Sequence, residues 1–337
     1  MRQGRRHFLL ASAGLLLGAC GGGTDDDGAA PQEQQLARAQ GEAASANRGA
    51  RGKSNKRRAR AYARKGVTAI AVSGDGTKVG VAHADGRVRL LDGAGSADKR
   101  LLKPRGGAPV AGLVFSAEGR YLVAVGRDSV ATGWNVNTGD KRFTLQGHEQ
   151  ALRTVAASAH GTVVATAGEG TRVLVWDGNT GKLVRVLGGH TDFVNALALS
   201  PNGSLLASGD ADARILVWRL DTGALLYTLR GHADEINAVA FSADGKSVAS
   251  AGEDGKVLVW DMASGRQSHA LQGLGSAARS LAFNHDGSLL AGGGSDGRVV
   301  VWDMNTGAVA REVGAAGAAV NVVAFVVFSW VATLDLG

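Results

Sequence analysis

Tryptophan stands at positions 134, 176, 218, 260 and 302, each 42 residues after the last. A period of this size means one supersecondary unit stacked on copies of itself, because a single copy cannot bury its own apolar face. The clearest copy runs from Gly231 to Asp261, GHADEINAVAFSADGKSVASAGEDGKVLVWD. It reads as strand, four-residue turn, strand, turn, strand, loop, strand. Ile236 to Phe241 is the innermost strand and Ser242-Ala243-Asp244-Gly245 the first turn. Lys246 to Ser250 and Lys256 to Trp260 follow, with an outermost strand near Gln267 to Leu271. The turns rest on Asp-Gly and Asn-Gly pairs, since Gly and Asn tolerate positive φ. Inner strands such as Val194 to Leu199 are nearly all apolar, as expected of strands covered on both faces.

Gly147-His148, Gly189-His190 and Gly231-His232 open repeats, and Trp176-Asp177, Trp260-Asp261 and Trp302-Asp303 close them. On these residues the chain resembles the WD40-repeat family over roughly residues 67 to 325. The resemblance implies an all-β fold: a WD40-type β-propeller whose blades are four-stranded antiparallel sheets around a central channel. Six full-length repeats of about 42 residues precede an incomplete seventh. It also implies a buried His, Ser or Thr, Asp and Trp tetrad in each blade. His190, Ser208, Asp212 and Trp218 match one set; His232, Ser250, Asp254 and Trp260 match a second. His148, Thr166 and Trp176 form a third with Gly170 in the Asp place. The sixth repeat has Asp296 and Trp302, with Leu274 for His and Gly292 for Ser. The second keeps Asp128 and Trp134, and the first keeps Asp85. These histidines recur in register, which marks them as scaffold.

The seventh repeat starts in register, Val320 to Phe325 matching Ile236 to Phe241, and then loses it at Val326-Val327-Phe328-Ser329. Trp330 and Val331 are placed to fold back as a second strand. By the family's habit of closing its ring with a strand from the N-terminus, Arg58 to Ala63 would be that strand. Its Arg-Ala alternation has period two.

Family members mostly bind partners on the face that carries the Gly-His loops and second turns. Spacing from each His position puts Arg153, Phe193, Asn195, Glu235, Asn237 and Arg279 on that face. The residues before the tetrad Asp positions add Arg127, Glu169 and Glu253. An exposed Phe193 among charges has the make-up of a binding anchor. The alternative is that Phe193 turns inward between blades.

Residues 1–19 read as a signal peptide. Arg2, Arg5 and Arg6 precede a 12-residue apolar run, Phe8 to Ala19, too short to span a bilayer comfortably. Gly4 to Leu10 resembles a twin-arginine export signal. Leu17-Gly18-Ala19-Cys20 resembles a bacterial lipobox, which implies lipid on Cys20, the chain's one cysteine. An ordinary secretory signal with an incidental cysteine is the other reading. Residues 20–66 have almost no large apolar side chain and read as a disordered tether, and residues 67–337 as the propeller. The tether's Arg48 to Lys65 holds nine basic residues and no acid. Through Gly66 there are 13 basic and 5 acidic residues, against 24 and 25 in the rest. The overall charge of +7 therefore belongs to the tail, where it suits a phosphate-rich surface such as lipid head groups or serves as a solvated spacer. Export and the want of interleaved aromatics argue against nucleic acid. Gly21 and Gly22 follow the cysteine, with no acidic residue next to it; the resemblance to bacterial lipoproteins then implies the outer membrane, facing the periplasm.

No Walker loop, dinucleotide fingerprint, His-Glu-x-x-His or cysteine pair occurs, so no catalytic residue, metal site or cofactor is assigned. The leading expectation is a non-catalytic, membrane-tethered scaffold that binds another protein. The alternative is a catalytic envelope propeller of hydrolase or quinone-dependent dehydrogenase type.

Overall fold

The structure, a computed structural model, describes residues 67–73, 77–92, 100–104, 107–116, 118–314, 319–326 and 330–335. Cys20, the basic run and the expected closing strand lie outside the described residues. Among the described residues twenty-six strands follow one another. The first sheet is β1 (Val67–Val72), β2 (Lys78–His83), β3 (Val88–Asp92) and β4 (Arg100–Leu102). The second is β5 (Val110–Phe115), β6 (Tyr121–Gly126), β7 (Val130–Asn135) and β8 (Lys141–Gln146). The third is β9 (Leu152–Ala157), β10 (Val163–Gly168), β11 (Val173–Asp177) and β12 (Leu183–Leu187). The fourth is β13 (Val194–Leu199), β14 (Leu205–Asp210), β15 (Arg214–Arg219) and β16 (Leu225–Arg230). The fifth is β17 (Ile236–Phe241), β18 (Ser247–Gly252), β19 (Val257–Asp261) and β20 (Gln267–Leu271). The sixth is β21 (Ala278–Phe283), β22 (Leu289–Gly294), β23 (Arg298–Asp303) and β24 (Val309–Gly314). The last pair, β25 (Val320–Val326) and β26 (Trp330–Asp335), forms a two-stranded sheet. The fold is thus six four-stranded antiparallel blades and a short seventh sheet. In that sheet the pairing runs through Val326 opposite Trp330.

The turns explain the local sequence. After β17, Ser242 accepts from the Gly245 amide at 2.9 Å, and its hydroxyl accepts from the Ser247 amide at 2.9 Å. Gly245 at φ 71° supplies the left-handed step that an L side chain resists. The Asp of each Trp-Asp pair serves a different turn. Asp261 Oδ1 accepts from the Ser264 amide at 2.8 Å, and Asp177 Oδ1 from the Thr180 amide at 2.8 Å.

Inner strands pack in succession, β1 on β5, β5 on β9, and onward to β21 on β25. The core is therefore a series of layers between blades. Each of the five tryptophans in the 42-residue register seals the layer between its own blade and the one before. Trp218 lies in the cluster with Val173, Val175 and Leu187, and Trp260 in the cluster with Ile215 and Val217. The layer before the short seventh sheet holds Val299, Val301, Val320 and Val323.

A second seam runs around the outside. The third residue of each outer strand from blade 2 to blade 5 packs over a glycine in the following sequence repeat. Phe143 covers Gly181, Arg185 covers Gly223, Tyr227 covers Gly265 and His269 covers Gly307. All four glycines have φ between 67° and 78°. Arg185 Nε also donates to the Leu220 carbonyl at 2.8 Å, and the Tyr227 hydroxyl to the Met262 carbonyl at 3.2 Å.

Candidate partner-binding rim

The strand ends that carry the Gly-His loops place a set of side chains on one rim. In blade 5, Gly231 lies close over the core: a Cβ there would stand 2.9 Å from Leu258 and 3.0 Å from Trp260, so those side chains would have to shift. The following His232 turns inward. Its Nε2 meets Ser250 Oγ at 2.8 Å, Trp260 Nε1 donates to the same oxygen at 2.9 Å, and Nδ1 meets Asp254 at 3.0 Å. Burial pushes the Asp254 carboxyl up, but the Ala233 and Lys256 amides and the His232 ring outweigh it and hold the carboxyl below its ordinary range. Burial also pushes His232 below the usual histidine value, partly offset by Asp254.

Blade 4 corrects the expected set. His190 Nδ1 meets Asp210, at 2.6 Å, and not Asp212. Asp210 is fully buried and also accepts from Arg214 Nε at 3.1 Å and from the Arg214 amide at 2.9 Å. Asp212 stays exposed on the rim and accepts from the Thr191 hydroxyl. The cause is one residue. Blades 2, 3, 5 and 6 have glycine in the Asp210 register, at Gly126, Gly168, Gly252 and Gly294. At Gly252 a Cβ would stand 2.6 Å from both Asp254 Oδ1 and His232 Nδ1. A carboxylate rooted there therefore occupies the place that Asp254 fills in blade 5, and Asp212 is displaced outward. His190 still reaches Ser208, and its ring meets Trp218 edge-on at 5.5 Å. Blade 3 keeps His148, Thr166 and Trp176, with both rings 2.8 Å from Thr166 Oγ1. In blade 6, Trp302 Nε1 turns to the Gln272 carbonyl at 2.7 Å.

Above these anchors lie two clusters. In the first, Arg153 of blade 3 reaches Asn195 of blade 4 at 3.1 Å and Glu169 at 3.4 Å, with its guanidinium 4.9 Å from the centre of the Phe193 ring. Phe193 is 38% exposed, so it stands out on the rim and does not fill a gap between blades. In the second, Asn237 donates to Glu253 at 2.8 Å and to the Ala278 carbonyl at 3.0 Å, and Arg279 reaches Glu253 at 3.3 Å. The structure changes two expected roles. Asn195 and Asn237 are buried, so they fix Arg153 and Glu253 and present little surface of their own. Arg127 and Glu235 make no ion pair among the described residues. Beside Glu253 a hollow of about 440 Å³ opens between Glu253–Lys256 and the loop from Leu271 to Ala277. Sequence spacing missed this hollow. It forms in the blade whose Gly-His has become Gly273-Leu274, the one signal in the sequence that the loop differs. Ser276 Oγ, in its wall, is buried without a hydrogen-bond partner among the described residues.

Among the described residues no group of three or more His, Cys, Asp or Glu is placed to hold a metal ion. The WD40 family profile, described as WD domain, G-beta repeat, matches residues 139–177, 181–219, 223–261 and 265–303. Each match runs from the outer strand of one blade through the third strand of the next. No curated protein matches the chain. Matched repeats and observed blades keep the same 42-residue step, and that common step makes this chain a WD40-type β-propeller, a fold generally associated with protein–protein interaction scaffolding.

Proposed function

We propose that the chain is a non-catalytic scaffold that binds another protein on the Phe193 rim, and that lipid on Cys20 tethers it in the bacterial cell envelope. The observation that supports the rim is Phe193, exposed and held under the Arg153 guanidinium, which is itself fixed by buried Asn195 and by Glu169. An aromatic anchor whose neighbours are already ordered loses little entropy on binding. The Arg279–Glu253 pair and the hollow beside it extend the same face. The tether rests on the lipobox-like sequence before Cys20. A single acyl chain holds weakly, so stable attachment draws on further acylation or on the basic run Arg48 to Lys65.

A catalytic reading has one suggestive feature, the order Ser208, His190, Asp210. All three are buried, Ser208 and Asp210 completely, so no substrate carbonyl can approach the serine. The set is a support for the rim.

The test is recovery of a partner from membranes. Phe193→Ala with Arg153→Ala should abolish recovery while leaving thermal unfolding nearly unchanged. Normal recovery would move the site off this rim. Separately, Cys20→Ala should release the protein from membranes; a variant that stays wholly in the membrane fraction overturns the anchor.

A further inference from the structure

Strand β12 reads Leu183-Val184-Arg185-Val186-Leu187, a palindrome about Arg185. It is the outer edge of blade 3, and an outer strand offers a row of backbone donors and acceptors on its free side. Leu183, Val184 and Val186 are 48%, 56% and 50% exposed. The pairing with β11 shifts between Val175 and Trp176, which leaves Val184 standing clear of the ladder. The outer strands of blades 2, 4, 5 and 6 each place a polar residue at one or both of the matching positions: Arg142 and Thr144, Thr228, Ser268 and Glu312. Only β12 among these carries a β-branched aliphatic residue at both.

We propose that β12 is a self-pairing edge: two copies of this chain join β12 to β12, antiparallel, about a two-fold axis at Arg185. A two-fold contact requires a patch that is complementary to itself. The palindrome meets that requirement. Antiparallel pairing centred on Arg185 puts Val184 opposite Val186 of the second copy and Val186 opposite its Val184, and apolar β-branched cross-strand pairs stabilise a sheet. At the ends Lys182 falls opposite glycine, Gly188 of the second copy, so no like charges meet there. The two Arg185 side chains would repel, but each is turned onto its own blade 4, donating to the Leu220 and Asp221 carbonyls. The palindrome has no value for a lipid surface or an unrelated strand, which is why the occupant is a second copy. Pairing through one short strand buries little area, so the dimer is reversible and concentration-dependent.

Sedimentation of the full chain in detergent should show monomer and dimer exchanging with concentration. Val184→Lys or Val186→Lys should cut the high-concentration mass by about half, with an unchanged circular dichroism spectrum, since both positions are more than half solvent-facing or nearly so. Register is read by oxidation in a Cys20→Ser background. Val184→Cys with Val186→Cys should give a disulfide-linked dimer, and Val184→Cys alone should not, because Val186 faces it. The proposal is overturned by a wild-type chain that stays monomeric, by lysine variants that dimerise as wild type does, by a double cysteine variant that fails to cross-link, or by Val184→Cys alone cross-linking as well as the pair.

Discussion

At the scale of single residues, Asp210 shows how one side chain reassigns a network. Mapping the resemblance's tetrad by spacing singled out Asp212, four residues after Ser208, and in blade 5 the matching residue, Asp254, does meet its histidine. Spacing carries no information on which of two nearby carboxylates lies closer. The usable signal was an aspartate where four other blades have glycine. Removing Asp210 as Asp210→Ala leaves Arg214 without its buried partner and should cost about 3–5 kcal/mol in urea unfolding. Asp212→Ala, at an exposed site, should cost no more than about 0.5 kcal/mol. Equal losses would refute the correction. A second residue sets a pH dependence. Burial lowers His148 to about 4, partly offset by a hydrogen bond at Thr166. The unfolded chain takes up that proton near 6.5. Stability is therefore whole above about pH 6.5 and falls as pH drops from there to about 4, by about 2–3 kcal/mol for this group. His232, also lowered by burial, acts in the same direction. Asp210 and Asp254, held below their ordinary values, add losses at still lower pH, as the folded carboxyls take up protons. His148→Gln should flatten the upper part of this slope in unfolding curves measured across that range.

At the scale of elements, the strands were legible and the seams between them were not. The nearly continuous apolar run and the Asp-Gly turn after it place β17 at Ile236–Phe241, as the structure does, because both depend on near neighbours in the chain. The outer seam joins residues on different blades, and nothing in a strand such as β16 announces that Tyr227 will cover Gly265. The rim is similar. Sequence spacing put Phe193 and Arg153 on one face, but whether Phe193 pointed out depended on a neighbour 40 residues away in another blade. The seam predicts graded costs. Gly265→Ala forces a side chain into a left-handed backbone and 2.5 Å from Tyr227, and should lose about 2–3 kcal/mol. Gly223→Ala meets Arg185 only at 3.5 Å and should lose about 1 kcal/mol, the backbone cost alone. Urea midpoints of the two variants check the order.

At the scale of the whole molecule, the described residues divide into six sheets with four strands and one with two. A two-stranded sheet has little stability of its own, whereas each of the other six sheets has four strands. Hydrogen exchange should therefore be faster in β25 and β26 than in β13 to β20; equal protection would mean that another element covers the seventh sheet. The outer seam also has a consequence in time. Each covering residue is followed by its glycine 38 positions later, from Phe143 to Gly181 and from His269 to Gly307 alike. During synthesis at about 5–20 residues per second, that interval is about two to eight seconds. Through each such wait the newest outer strand has emerged but has nothing to close against. The ribosome thus supplies the partners of this seam at equal intervals, one junction at a time.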